Sequence, residues 1–296
     1  MMHEDVSFFS DGIRLAARVF LPADRQDGER RPAIVVCQGF GGTIEYNVGP
    51  IAERLAGQGY VALTFDYRGF GASEGPRWRL IPDEQARDAR HALTYLRTRP
   101  EVDPERLGIY GTSFGGGVAI VAAAADPRAR CVVSTVGVGN GLHWMQAMRR
   151  HWEWVALLER LEGDRRRRVL TGESELVDPD EILIRDPEAL AWNQEVLRQY
   201  PSRRYQLPLE TAEAVIAWRP DQVVSRLAPR ALLVIHVGGD RLVPPAQAEE
   251  LYANAGEPRR LVILPRWEHH DVYQGEPFEA VMAETLAWYA AHLPVR

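Results

Sequence analysis

Leu107-Gly108-Ile109-Tyr110-Gly111-Thr112-Ser113-Phe114-Gly115-Gly116-Gly117-Val118-Ala119-Ile120 is the stretch that decides the fold. It passes from an apolar run, through a pentapeptide with a serine at its centre, into small residues that continue to Ala125. The pattern reads as strand, sharp turn and helix. A side chain at the apex of so tight a turn sits on strained backbone and needs neighbours without bulk, because the helix must pack close to the strand. The outcome is an exposed hydroxyl above a sheet, beside the N–H groups at the positive end of a helix. A glycine-rich turn without chemistry would carry the same letters, so the surrounding sequence has to decide.

Outward from this stretch, short apolar runs alternate with helical patterns. Val6–Phe9 and Ile13–Phe20, joined by Ser10-Asp11-Gly12, read as an antiparallel pair. Ala33–Cys37, Val61–Phe65, Leu107–Tyr110, Cys131–Ser134, Ala231–Val237 and Leu261–Leu264 are near-continuously apolar, as parallel strands covered on both faces are. Helical segments over Val48–Gln58, Asp83–Arg97, Phe114–Ala125, Ala246–Ala255 and Pro277–His292 lie between or after them. This alternation predicts an α/β fold: a mostly parallel, eight-stranded, doubly wound sheet with right-handed crossovers. The rhythm breaks over 139–226, which has helical character, no strand of the core type, and the tryptophans 144, 152, 154, 192 and 218. So long an interruption predicts an inserted helical cap, with residues 1–138 and 227–296 forming the core.

Composition sets the outer limits. The chain has 296 residues, 46% of them hydrophobic, and a formal charge of -6. That suffices for a large core, and no basic stripe suggests nucleic acid as a partner. Arg165–Arg168 is the one basic cluster; with Glu159, Glu162, Asp164, Glu173 and Glu175 around it, it reads as a paired, solvated helix face. Cys37 and Cys131 lie in strand-like runs and read as buried free thiols, and nothing has metal-ligand spacing. The opening residues lack a signal-type apolar region and no stretch approaches membrane-spanning length, so a cytoplasmic protein without membrane, metal or cofactor is expected. A homo-oligomer is compatible with this composition.

A serine hydroxyl becomes a nucleophile only when a base takes its proton, and the base must be held in one tautomer by an acid. Both partners should follow strand ends. Asp240 stands in Gly238-Gly239-Asp240-Arg241, just past Ala231–Val237, and Trp267-Glu268-His269-His270 stands just past Leu261–Leu264. The order Ser, Asp, His is that of the α/β-hydrolases. The loop Gln38-Gly39-Phe40-Gly41-Gly42 and the segment Asp66-Tyr67-Arg68-Gly69-Phe70-Gly71-Ala72-Ser73 complete a resemblance to that superfamily, which covers nearly the whole chain outside the insertion. The likeness points toward cap-bearing serine hydrolases of the serine aminopeptidase and esterase kind.

The resemblance implies an α/β-hydrolase fold and places roles by position. Ser113 would be the nucleophile, Asp240 the supporting acid and His269 the base, with His270 the alternative base because the loop lacks the family's glycines. The backbone N–H groups of Phe40 and Phe114 would form the oxyanion hole. Gln38 departs from the family's usual histidine and is expected to support the loop. Asp66 reads as a structural turn acid and His236 as a core residue. Trp144 and Trp152, soon after the strand at Cys131–Ser134, are the candidates to line a substrate pocket. The expected activity is cleavage of a small or medium carboxylic ester through an acyl-enzyme. Amide, aminopeptidase or carbon–carbon cleavage on the same residues is the alternative, with Glu153 or Glu173 available as an amine clamp; a non-catalytic ligand receptor is the reading from a different class.

Overall fold

A computed structural model describes residues 3–46, 48–201 and 204–295. The hairpin β1 (His3–Ser10) and β2 (Ile13–Phe20) opens the chain and turns at Asp11 and Gly12, both with positive φ. The central strands β3 (Arg31–Cys37), β4 (Val61–Phe65), β5 (Val102–Thr112) and β6 (Ala129–Thr135) follow, with helices α1 (Val48–Ala56), α2 (Pro82–Thr98) and α3 (Phe114–Ala124) between them. After an insertion come β9 (Ala231–Val237), α9 (Ala246–Asn254), β10 (Arg259–Leu264) and α10 (Gly275–His292). The sheet runs β1-β2-β4-β3-β5-β6-β9-β10, antiparallel at the hairpin and at β2–β4, parallel elsewhere.

Every residue of β3, β4 and β9 is buried, because helices cover both faces. On one face Ile51 and Leu55 of α1 and Val281 and Met282 of α10 meet Ile34, Val36, Leu233 and Ile235. On the other, Ala89 and Leu93 of α2, Val118 of α3 and Leu251 of α9 meet Val35, Leu63, Ile109 and Val234. One strand departs from expectation. β10 is half-covered and Ile263 is 39% exposed, because β10 is the last strand and has a neighbour on one side only. Continuous apolarity there reflects a sheet edge rather than burial on both faces.

The chain winds one way from β3 to β4, then crosses to the other side of β3 to form β5. That reversal opens a crevice at the carboxyl ends of β3 and β5, the place where open α/β sheets bind ligands. The loop after β3 carries Gly39 and Phe40; the turn after β5 carries Ser113.

Between β6 and β9 lie α4 (Gly141–Ala147), α5 (His151–Thr171), α6 (Pro179–Ile182), α7 (Pro187–Gln199) and α8 (Glu210–Ile216). A two-stranded antiparallel ribbon, β7 (Leu176–Val177) with β8 (Leu207–Pro208), ties them. Local signals set these ends. Gly172 in the left-handed conformation stops α5, and the Asp186 carboxylate accepts from the N–H groups of Glu188 and Ala189 to start α7. The Arg165–Arg168 run is paired with acids throughout: Arg165 with Glu162 and Glu213, Arg166 with Glu162, Arg167 with Glu173, and Arg168 with Asp164 and Glu213. Cys37 and Cys131 are buried free thiols, and burial pushes the Cys37 thiol up to about 12. Among the described residues no helix is long and apolar enough to cross a membrane.

Candidate active site

Ser113 joins β5 to α3 with φ 54° and ψ -129°, a conformation that costs a non-glycine residue free energy and persists only where its surroundings enforce it. The enforcement is visible. The Ser113 N–H donates to the Thr135 carbonyl at 2.9 Å, and its own carbonyl accepts from Gly116 N–H at 2.8 Å. The glycines are required by proximity: a Cβ on Gly115 would strike the Gln38 carbonyl, and one on Gly111 would strike the Gly115 carbonyl. A Cβ on Gly39 would lie 3.2 Å from the Ser113 Cβ, so the β3 loop also passes close to Ser113.

His269 Nε2 lies 3.0 Å from Ser113 Oγ, and His269 Nδ1 lies 2.6 Å from Asp240 Oδ2. His269 and Asp240 are buried, 2% and 4% exposed. The other oxygen of Asp240 accepts from the N–H groups of Leu242 at 3.0 Å and Val243 at 2.7 Å. The carboxylate is thus fixed by its own turn and presents Oδ2 to the imidazole. Since Nδ1 faces a carboxylate, it carries the proton, which leaves Nε2 as the acceptor toward the serine hydroxyl.

His270 takes the other path. Its ring stacks on Trp192 with centroids 5.1 Å apart and an interplanar angle of 18°, and Nδ1 lies 3.4 Å from Glu188 Oε2. Burial, with the charges of His269 and Arg185 adding, pushes His270 down to about 2, so it stays neutral beside His269. Phe40 and Phe114 meet edge to face at 5.8 Å, which brings the β3 loop and the start of α3 together beside Ser113. Gln38 donates from Nε2 to the Phe65 carbonyl at 2.5 Å and so ties the β3 loop to β4.

Asp66 lies apart from the serine. Its carboxylate accepts from Ile44 N–H at 2.7 Å and Ala72 N–H at 2.9 Å, holding two loops, and burial raises its carboxyl above the usual range. Arg68 and Asp88 form a buried pair at 2.6 Å that also engages Ser10 and Asp11 of the hairpin turn. The Asp66–Ser73 segment therefore ties the loop at Ile44, the first hairpin and α2 together.

A cavity of about 70 Å³ runs along Ser113, His269 and the β3 loop. Its roof is Leu183, Arg185, Trp192 and Asn193, all from the stretch around α7; Tyr46 and Tyr273 complete the walls. The Trp192 indole donates to the Tyr46 hydroxyl, and Tyr273 exchanges a 2.9 Å hydrogen bond with Thr112. Beyond Phe40, Arg185 and Asn193 the cavity gives way to a vestibule of about 490 Å³. Trp144 and Trp152 are not part of this lining. Trp144 is buried beneath Phe114 and donates to the Leu242 carbonyl at 2.8 Å, while Trp152 is 64% exposed on α5. The tryptophan of the roof is Trp192 instead. Nearness in sequence to β6 put Trp144 and Trp152 forward, but the insertion folds back over the cleft through α7, not through its first helices. Glu153 caps its own helix and Glu173 is exposed beside Arg167; neither reaches the cavity.

A 31.7 kDa Escherichia coli protein from the traX-finO intergenic region is 31% identical over 96% of this chain and 97% of its own length. The thiohydrolase aneE of Aspergillus aculeatus is 26% identical over 95% of this chain and 90% of its own. In the crystal structure of the hypothetical protein PA2218 of Pseudomonas aeruginosa, 27% identical, the backbone superposes with a TM-score of 0.81 over 97% of this chain and 94% of that one. A family model described as X-Pro dipeptidyl-peptidase (S15 family) matches residues 11–271, from the turn of the first hairpin to just past His269. With that match over most of its length, the chain belongs to the S15 family and is a hydrolase of α/β-hydrolase fold.

Proposed function

We propose that the protein is a serine hydrolase that cleaves a small or medium carboxylic ester through an acyl-enzyme on Ser113. The observation that carries this reading is the run of contacts from Ser113 Oγ to His269 at 3.0 Å and from His269 to Asp240 at 2.6 Å. His269 takes the serine proton as Oγ attacks the carbonyl carbon, and Asp240 stabilises the imidazolium that forms. The tetrahedral oxyanion is held by the N–H groups of Phe40 and Phe114, the second of them at the positive end of α3. His269 then protonates the departing alkoxide. Water, deprotonated by the same imidazole, releases the acid and restores the serine.

The cavity supports the size assignment. Its volume of about 70 Å³ has space for on the order of five waters, enough for a short acyl or alcohol group, with the vestibule for the rest. Arg185 in its lining is ion-paired with Asp180. Amide or aminopeptidase cleavage is the alternative on the same residues, separated from ester cleavage by turnover of matched anilides. A thioester is the second reading, because the relative named a thiohydrolase aligns over nearly the whole chain. The two are separated by relative turnover of esters and thioesters that share one acyl group.

Hydrolysis of p-nitrophenyl esters from acetate to octanoate, beside matched thioesters and anilides, tests this directly. Turnover of short esters that disappears in Ser113→Ala, with covalent labelling of Ser113 by a fluorophosphonate, is the expected result. Ester turnover that persists in Ser113→Ala, or an unlabelled Ser113, would refute it.

A further inference from the structure

The turn that carries Asp240 is gripped from two sides by residues outside the triad. β9 reads Ala-Leu-Leu-Val-Ile-His-Val, and His236 is its one polar side chain, fully buried. Its Nε2 lies 2.7 Å from the Val243 carbonyl and 3.5 Å from Asp240 Oδ2, the oxygen that also receives His269. A nitrogen facing a carbonyl and a carboxylate must carry the proton, which fixes the tautomer. The other ring nitrogen, Nδ1, is then an unprotonated acceptor, and it has no hydrogen-bond partner. A leucine or valine would fill the same position without that cost, so packing alone does not account for a histidine here. From the opposite side, the buried Trp144 of α4 donates Nε1–H to the Leu242 carbonyl at 2.8 Å.

These contacts interlock with those inside the turn. The N–H groups of Leu242 and Val243 donate to Asp240 Oδ1, and the carbonyls of the same two residues accept from Trp144 and His236. The Leu242–Val243 peptide plane is therefore held at both ends, and the planes before and after it are each held at one. We infer that His236 and Trp144 are positioning residues, which clamp the Leu242 and Val243 carbonyls so that the turn presents Asp240 Oδ2 to His269. This rests on the proposed role of the triad and adds two residues to it. It also assigns the base of the insertion a part in the chemistry: α4 holds the acid's turn, while α7 roofs the cleft. A misplacement of the acid well under the length of a bond is enough to matter, since the His269–Asp240 contact at 2.6 Å must survive every turnover.

The test compares His236→Gln, which keeps an N–H near Nε2, with His236→Leu, which keeps bulk alone, and with Trp144→Phe, which removes only the indole N–H. Each is checked for folding by thermal unfolding, then for kcat and KM on a p-nitrophenyl ester. The low-field proton NMR signal of His269 Nδ1–H is followed in parallel, a readout that needs no substrate. His236→Leu and Trp144→Phe are expected to lower kcat by roughly ten- to a hundredfold at constant KM, with the low-field signal moved upfield or lost; His236→Gln keeps both near wild type. An unchanged signal and kcat in His236→Leu would overturn the inference. So would His236→Gln behaving as badly as leucine, which would mark a packing role. A wild-type protein that shows the signal and its dependence on His236, yet leaves Ser113 unlabelled, would count against the ester reading and not against the clamp.

Discussion

The floor and the roof of the cleft are built by opposite means. Ser113 and Asp240 stand at the ends of buried strands and His269 just past the half-covered edge strand β10, and each is over-determined: by flanking glycines, by backbone hydrogen bonds or by a neighbouring side chain. The roof hangs from α7 and the residues just before it, and over the cleft it is tied down by the Trp192–Tyr46 hydrogen bond, the Trp192–His270 stack and a long Glu188–His270 contact. Reacting groups need sub-ångström placement, which only a packed scaffold supplies. A roof must let substrate enter and choose among substrates, and a few side-chain contacts suffice. Under the proposed function the contrast places chemistry in the floor and selectivity in the roof, and it can be broken at either end.

The largest effect belongs to the floor. Ser113→Ala should lower kcat by about 10⁶-fold, the scale on which serine hydrolases lose activity with their nucleophile. Its thermal stability should hold, because alanine fits the space left by the hydroxyl. Asp240→Asn should cost about 10⁴-fold, since an amide presents the wrong hydrogen-bond pattern to His269 Nδ1 and favours the wrong tautomer. Both are read from single-turnover and steady-state rates on the preferred ester. A loss of less than tenfold for Asp240→Asn would remove Asp240 from the floor as drawn here.

The next effect is on stability. Asp88, fully buried, accepts from Arg68 Nη2 at 2.6 Å and from the Ser10 hydroxyl at 2.6 Å. Asp88→Ala leaves the buried Arg68 guanidinium with Asp11 as its remaining acidic partner and should cost up to about 3 kcal/mol, seen as a fall in the urea midpoint. Arg166→Ala removes an exposed pair from the insertion, with the arginine side chain 75% exposed. It should cost under about 1 kcal/mol. Equal losses would mean that floor and insertion are braced alike.

His270, where roof meets floor, gives the contrast a pH dependence. Burial pushes its pKa down to about 2, below the ordinary value of 6.5. Below pH 6.5 the unfolded chain takes up a proton that the folded chain refuses, so stability falls as pH falls toward 2, by up to about 1.4 kcal/mol per unit in that window. His270→Phe keeps the stack on Trp192 and removes the proton site. Its stability should therefore decline less than that of the wild type between pH 6.5 and 4.5, measured by denaturant unfolding across that range. Parallel curves would place the acid sensitivity elsewhere.

What was legible in the sequence follows the same division. Every strand of the large sheet, the elbow at Ser113 and the order of acid and histidine could be read from letters, because continuous apolarity and obligatory glycines are local consequences of a buried parallel sheet. The edge position of β10 was not legible, since Leu261–Leu264 is as apolar as an inner strand and only strand order exposes it. The roof was not legible either. Asp186-Pro187 marks where α7 starts, but Trp144, Trp152 and Trp192 look alike as letters. Which one faces the serine depends on how the insertion folds back, a long-range choice with no local signal. His236 read as a core residue, and it is one; that its ring holds the Val243 carbonyl emerges only when the turn after β9 closes.

The smallest effect should come from Trp192, and it tests the contrast most finely. Its indole covers His270 and bonds Tyr46, yet it touches no group that gains or loses a proton in the proposed reaction. Trp192→Ala removes roof without disturbing the floor. kcat on the shortest ester should stay within about threefold of wild type, while the chain-length optimum moves toward longer acyl groups and KM for acetate rises, by about tenfold for the loss of one good apolar contact. Fluorophosphonate labelling of Ser113 should keep its rate, since nucleophile activation lies wholly below the indole. If Trp192→Ala instead lowered kcat for every chain length by the same large factor, the indole would be part of the reacting assembly, and the roof could no longer be separated from the floor.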